Sequence, residues 1–448
     1  MSKADSSPTG RLAAGSCSRR RFLGGSVAAA VGGLSGGLGS TIVRAQSTAP
    51  TVPAGLDYLH PAGAVDEAYW AKVRKQFNLV DDLTYMNNGT LGPMPRYVFD
   101  ANVRYLRDIM EDPRRGGMAD DVRQKVAGFV GANADEIALN RSTTEGVKMF
   151  CWGANMKEGD EVLMSTHEHP GGYGPWRARE RRYGIKVTTV DIPAPPDSAD
   201  QIVSLFEKAI TPKTRVLFTS HIVFVTGLVM PIKALAELAH RRGLLISVDG
   251  AHAPGMLDLN FHDLGVDHYS GAGQKWLLAG TGTGLAYFKR EIQDQIASDI
   301  WFEDEKPDMF ARKYERSGQR DIPSALGMGD AVDFHNAIGK ATVEARVRQL
   351  ATRFRTGLKD IPGVRLGTSM TAELNGGLTT FYIPGVPKET TTRVLMEREQ
   401  IFIPGSRLNA NACRLSTHIY NTPAEVDRAI ETIRHIATNA SKYTNTAA

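Results

Sequence analysis

Between residues 160 and 250 the chain alternates short β-rich apolar runs with stretches whose apolar positions recur at helical spacing. The runs at 162–165, 186–190, 215–220 and 244–249 predict strands. Between them, DSADQIVSLFEKAI puts Ile202, Leu205, Phe206 and Ala209 on one helical face behind Ser198 as a possible N-cap, and Pro231 can open the helix IKALAELAHRR. This order predicts βαβ units, with helices covering a parallel sheet. Upstream, helical periodicity spans 66–77, followed by the turn-rich YMNNGTLGPMPRYVFDA and a longer alternation from about Asp120. From about Asp330 a long helical pattern precedes a strand at 377–383 and further helices, as a smaller second domain would. No internal repeat interrupts this order.

Charge changes the picture at one end only. Of a net +4 over 448 residues, positions 1–45 contribute +5 (Lys3, Arg11, Arg19, Arg20, Arg21 and Arg44 against Asp5), so the remainder carries −1. A nearly neutral body argues against a nucleic-acid partner. The basic end holds Ser18-Arg19-Arg20-Arg21-Phe22-Leu23, then a Gly/Ala-rich, weakly apolar stretch and Val43-Arg44-Ala45. This predicts a twin-arginine signal cleaved after Ala45, a periplasmic or other extracytoplasmic destination, and no stable membrane insertion afterwards. Cys17 leaves with that segment; Cys151 and Cys413 have neither metal spacing nor a disulfide framework and read as buried thiols.

The stretch SGAGQKWLLAGTGTG, 270–284, sets one lysine among glycines. A nucleotide P-loop needs Gly before its lysine and Ser or Thr after it, whereas Gln274 and Trp276 stand there. A dinucleotide fingerprint runs into a helix, whereas Gly280, Gly282 and Gly284 run into the strand-like LAYF. The apolar run that ends on Asp249 places a carboxylate at the carboxyl end of a buried parallel strand, where open α/β sheets bind ligands. One further crossover brings Lys275 to the same edge. An acid and a lysine facing one pocket suit pyridoxal phosphate: the lysine forms a Schiff base with the cofactor and the acid keeps the pyridine nitrogen protonated.

The wider pattern resembles the class V aminotransferase family of pyridoxal-phosphate fold type I. The resemblance is carried by NRSTTEGVK, STHEHPGGYGPW, HIVFVTGLVMPI, SVDGAHAPG, the Lys275 segment and CRLSTHIYNTPAEVD; YMNNGTLGPMP, SGQRD and QKWL look most like its isopenicillin N epimerase-like branch. It implies a mostly parallel central sheet flanked by helices plus a smaller α+β domain. Residues 46–115 and 326–448 would belong to the small domain and 116–325 to the large cofactor domain. Homodimers are implied as well.

By the same resemblance, Lys275 carries the cofactor, Asp249 partners the ring nitrogen, His169 stacks on the ring and His252 lies beside it. Thr143 and Thr144 would donate to the phosphate at a helix N-terminus. Arg414 would clamp a substrate carboxylate, and Asn88 is a further substrate-binding candidate. Two positions depart from the family pattern: Gln274 stands where His commonly precedes the lysine, and Gln319 where Thr often follows a glycine. Both usually touch the phosphate, Gln319 from the neighbouring subunit. His167 and His169 could begin a metal site, but no third ligand has suitable spacing, and none is expected. The loop before Cys413 lacks the thiol that desulfurases of this family carry. The expectation is therefore a pyridoxal-phosphate enzyme acting at the α-carbon of an amino acid or peptide-like amine bearing a carboxylate. Epimerisation leads, and C–S lyase, aminotransfer or the tailoring of a secreted peptide are alternatives; a catalytically inactive amine- or cofactor-binding protein is the non-enzyme alternative.

Overall fold

Seven strands form the central sheet: β1 (Ile137–Asn140), β2 (Glu161–Ser165), β3 (Lys186–Val190), β4 (Thr214–Ser220), β5 (Leu245–Gly250), β6 (His268–Ala272) and β7 (Gly284–Phe288). Their order is β1-β7-β6-β5-β4-β2-β3, with β7 antiparallel to both of its neighbours and every other pair parallel. This computed structural model describes residues 55–444 except 62, 118–119 and 304–305; the twin-arginine segment lies outside the described residues. All residues of β4 except Arg215, and all of β5 except Leu245, are buried, as strands covered by helices on both faces must be.

The helices that cover the sheet begin where the chain supplies caps. Ser198 accepts the amide of Gln201 to start Ala199–Ala209, which buries Ile202 and Phe206, and Pro231 precedes Ile232–Arg241. Ser142 accepts the amide of Glu145 at the head of Thr143–Gly153. His169 caps Pro170–Tyr183, its Nδ1 accepting from the amide of Gly171. Both of these last helices start at the carboxyl ends of strands, so their first turns face the edge where Asp249 ends β5.

A second, three-stranded antiparallel sheet, β8 (Arg365–Leu366), β9 (Leu378–Tyr382) and β10 (Ala412–Ser416), is ordered β10-β9-β8 and packs its own apolar core against helices Lys340–Lys359 and Pro423–Thr438. The long helical pattern expected from about Asp330 is two helices, Ile322–Ile338 and Lys340–Lys359, divided at Gly339, whose φ of 94° a side chain resists. The N-terminal segment returns to this region, because Thr84–Tyr85 pairs in parallel with Ile401–Phe402 and Asn87 bridges to Ser416. Among the described residues no helix is long and apolar enough to cross a membrane.

Candidate active site

Lys275 follows β6 by three residues, in a loop closed by hydrogen bonds from the amide of Gly273 to the carbonyl of Thr283 and from the amide of Ala279 to that of Gly273. β6 neighbours β5 in the sheet, so the lysine comes back beside Asp249. The two line one cavity of about 430 Å³ together with Thr143, Thr144, His169, His252, Gln274 and Arg414, residues drawn from five separate stretches of chain.

The electrostatics follow from burial. Desolvation pulls the Lys275 ammonium down to about 8, Asp249 opposing this and the Arg414 charge reinforcing it. Burial pushes the Asp249 carboxyl up, against the Ala251 amide, which donates to Oδ1 at 3.0 Å, and against Lys275. Arg414, also buried, is lowered to about 10, so it stays charged at neutral pH. His169 is held down to about 4 by burial and by the cations Lys275, Arg407 and Arg414, and its ring is therefore neutral. His252 is likewise neutral, and its Nδ1 accepts the indole N–H of Trp276 at 3.2 Å.

Arg414 projects from β10 with no acidic partner among the described residues. Its Nη1 donates to the carbonyl of Phe224 at 3.3 Å and its Nη2 to the hydroxyl of Thr90 at 3.0 Å, while its buried Nε has no acceptor. A desolvated guanidinium left with neutral acceptors is suited to take an incoming carboxylate.

Whether pyridoxal phosphate suits these residues can be judged on the protein alone. The Thr143 hydroxyl is buried without a partner, and it stands on the first turn of a helix, where backbone amides lack intrahelical acceptors. A Cβ on Gly171 would lie 2.3 Å from the Thr144 hydroxyl, so the two helix heads that border the cavity are closely fitted. A buried acid, a lysine of lowered proton affinity and an anion-ready helix start make one set that fits the group.

Two expected site residues lie elsewhere. Asn88 does not line this cavity: it is fully buried, its Nδ2 donates to the Lys275 carbonyl at 3.4 Å and its Oδ1 accepts from the Tyr420 hydroxyl at 3.2 Å. Its neighbours Asn87 and Thr90 are the ones that reach Arg414. Gln319 lines a different hollow, with Gly318 and Arg320, and does not enter the Lys275 cavity of its own chain. Cys413 is buried in the core of the smaller sheet, its thiol pushed up to about 12, and Cys151 is buried with the same shift, so both thiols stay protonated and unreactive.

Sequence reasoning missed Glu168, Phe224 and Arg407. Glu168 is buried, with Oε1 accepting from Ser165 Oγ at 2.6 Å and Oε2 accepting from the amide and hydroxyl of Ser220 at 2.8 and 2.5 Å. Its only signal was its place in HEHP, beside the histidine that drew attention. Phe224 packs edge-on to His169 with ring centroids 4.8 Å apart.

Comparison with known proteins follows the same lines. The sequence matches the family description "Aminotransferase class-V" over residues 95–429. It is 33% identical over 392 residues to an isopenicillin N epimerase of Amycolatopsis lactamdurans, covering 82% of this chain and 98% of that protein. It is 30% identical over 394 residues to an isopenicillin N epimerase of Streptomyces clavuligerus, covering 82% and 98%. Among solved structures, a C-DES mutant with glycine covalently linked to its PLP cofactor superposes with a TM-score of 0.73 at 22% identity, covering 81% of this chain and 98% of the other.

Proposed function

Because the chain belongs to the class-V aminotransferase family and is a pyridoxal-phosphate enzyme, we propose that it inverts or otherwise rebuilds the α-carbon of an amino acid or peptide-like amine that carries a carboxylate. The observation that carries this reading is the meeting of Lys275, Asp249 and Arg414 on one cavity. The cofactor, when bound, supplies an electron-poor ring that takes up the electrons of a bond broken at the α-carbon.

The chain's own residues do the rest. Asp249, buried at the end of β5, is the anion for a protonated ring nitrogen. Thr143 and the first turn of its helix receive the phosphate. Arg414 would hold the substrate carboxylate, and that grip would leave the α-proton, rather than the carboxylate, as the group to be removed. Lys275 Nζ would take that proton; with its proton affinity lowered to about 8, the free amine that can do so is a minor form at neutral pH and grows as pH rises towards 8.

Likeness to the two epimerases over 98% of their lengths supports epimerisation. A lyase or aminotransfer outcome has a separate support: among the described residues Asp249 is the only carboxylate lining the cavity, and His169 and His252 are neutral, so neither a second carboxyl nor a charged histidine is placed there to return a proton. Incubation of the holoenzyme with candidate amines in deuterium oxide separates these readings. Deuterium at the α-carbon with inversion identifies an epimerase, deuterium with loss of a β-substituent a lyase, and amino transfer to a keto acid a transaminase. Carbon dioxide release without α-exchange would refute the placement of Arg414.

Export through the twin-arginine route to the periplasm is supported by Ser18–Leu23 and the charge of residues 1–45. A homodimer is supported by the family pattern at Gln319, which leaves its own chain's cavity free. Retention of a reporter fused to residues 1–45 in the cytoplasm, or a monomeric active enzyme by light scattering, would contradict each in turn.

A further inference from the structure

The cavity holds a second guanidinium that none of the roles above employs. Arg407 lies in the loop between Ile401–Phe402 and β10 and lines the same wall as Pro404 and Arg414. Its backbone is pinned on both sides. The buried Ser406 hydroxyl donates to the carbonyl of Val225 at 2.9 Å and accepts the amide of Leu408 at 3.3 Å, and Leu408 packs against the main core. The side chain between them is exposed to the cavity mouth, and among the described residues it has no carboxylate partner.

Phe224 joins the two arginines. Its carbonyl accepts from Arg414, its ring lies 6.0 Å from the Arg407 guanidinium carbon, and that ring packs on His169. Arg407 is thus held over an aromatic face beside the substrate end of the cavity, and its charge is felt by His169. The first turn at Thr143 and Thr144, which suits the cofactor phosphate, is contributed by another stretch of chain. One α-carboxylate satisfies Arg414. A second cation with no carboxylate partner among the described residues is complementary to a second anionic group on the molecule that enters.

We propose that Arg407 recognises a carboxylate at the distal end of the substrate's side chain, so that the enzyme acts on dicarboxylic α-amino acids. This rests on the reading of the cavity as an amino-acid site. Arg414 and Arg407 then divide the work: the first orients the α-carbon and the second selects by side-chain charge and length.

The test is a titration of holoenzyme with dicarboxylic α-amino acids from aspartate to 2-aminopimelate, each paired with its neutral counterpart of equal length, following the cofactor absorbance. At one length the dicarboxylic member should bind about ten-fold or more tightly than its pair, as a charge-assisted bond predicts. Arg407→Gln should collapse that ratio towards one, chiefly through KM rather than kcat, and Arg407→Lys should restore part of it. Equal binding of charged and neutral members by the wild type, or a preference that survives Arg407→Gln, overturns the proposal while leaving the amino-acid reading intact. A cofactor spectrum that responds to no amine at all overturns both.

Discussion

Glu168 is a carboxyl group shut inside the sheet between the ends of β2 and β4, one residue before the histidine at the cavity. Burial pushes it up to about 7, the hydrogen bonds from Ser165 and Ser220 oppose this, and Asp249 adds to it. In the folded protein it therefore keeps a proton that the unfolded chain releases near 4.3. Folding binds more protons than unfolding across that window, so this group's contribution to stability falls as pH rises from about 4.3 to about 7 and is constant above. Glu168→Gln keeps the shape, because the amide oxygen can accept from Ser220 and the Ser165 hydroxyl can turn to accept from the amide nitrogen. The variant should gain stability relative to wild type as pH is raised from 5 to 8. Glu168→Ala also leaves the Ser220 amide buried without an acceptor and should lie about 1–3 kcal/mol below Glu168→Gln at every pH. Urea unfolding of the three proteins at several pH values decides the matter; parallel curves for wild type and Glu168→Gln would show that the carboxyl is ionised throughout.

At the scale of elements, much was legible because the chemistry hangs on strand ends. The alternation that ended at Asp249 and the cap at Ser198 required only local pattern, and β5 and the helix Ala199–Ala209 formed there. The Glu168, Phe224 and Arg407 contacts were not legible, since each arises where loops far apart in sequence are brought to one sheet edge. The glycines around Lys275 were readable as a sign of close approach, but what they approach is the protein itself: a Cβ on Gly273 would meet the Thr283 hydroxyl at 2.2 Å. Leu278, with φ of 62° and fully buried, is held in the left-handed region by the same closed loop. Gly92 presses on this loop from YMNNGTLGPMP, and a Cβ there would stand 2.0 Å from the Lys275 carbonyl and 2.7 Å from Leu278. Backbone cannot yield as a flexible side chain does. Gly92→Ala should therefore shift the lysine's main chain and weaken cofactor binding by roughly 5- to 150-fold, the range that corresponds to overpacking of 1–3 kcal/mol. Equilibrium dialysis against pyridoxal phosphate measures this, and an unchanged dissociation constant would mean that the loop's position is not what holds the cofactor lysine.

At the scale of the whole molecule, five histidines among the described residues are buried and neutral: His221, His252, His268, His335 and His418. Burial lowers His221 and His418 to about 4, His268 and His335 to about 3, and His252 well below its ordinary value. Once unfolded, each takes a proton near pH 6.5. Between there and the folded value the unfolded chain binds more protons, so stability is lost as pH falls, by up to about 1.4 kcal/mol per pH unit for each histidine. Five such groups outweigh the opposing slopes of the buried carboxyls Glu168, Asp249 and Asp330, which burial pushes up, and the unfolding midpoint should drop steeply from pH 6.5 to 5. The rings of His335 and His418 have centroids 6.1 Å apart, so charges on both would repel, which lowers His335 further. His335→Phe places an apolar ring among Phe129, Phe334 and His418 and removes one titrating group. Its unfolding midpoint should fall less steeply on acidification than that of the wild type, with the two curves converging above pH 7 apart from a constant offset. Proton uptake on unfolding, measured by calorimetry in buffers of different ionisation enthalpy at pH 5.5, should be close to one proton lower in the variant. Equal uptake by the two proteins would mean that His335 already carries its proton in the folded state, and that acid sensitivity arises elsewhere in the chain.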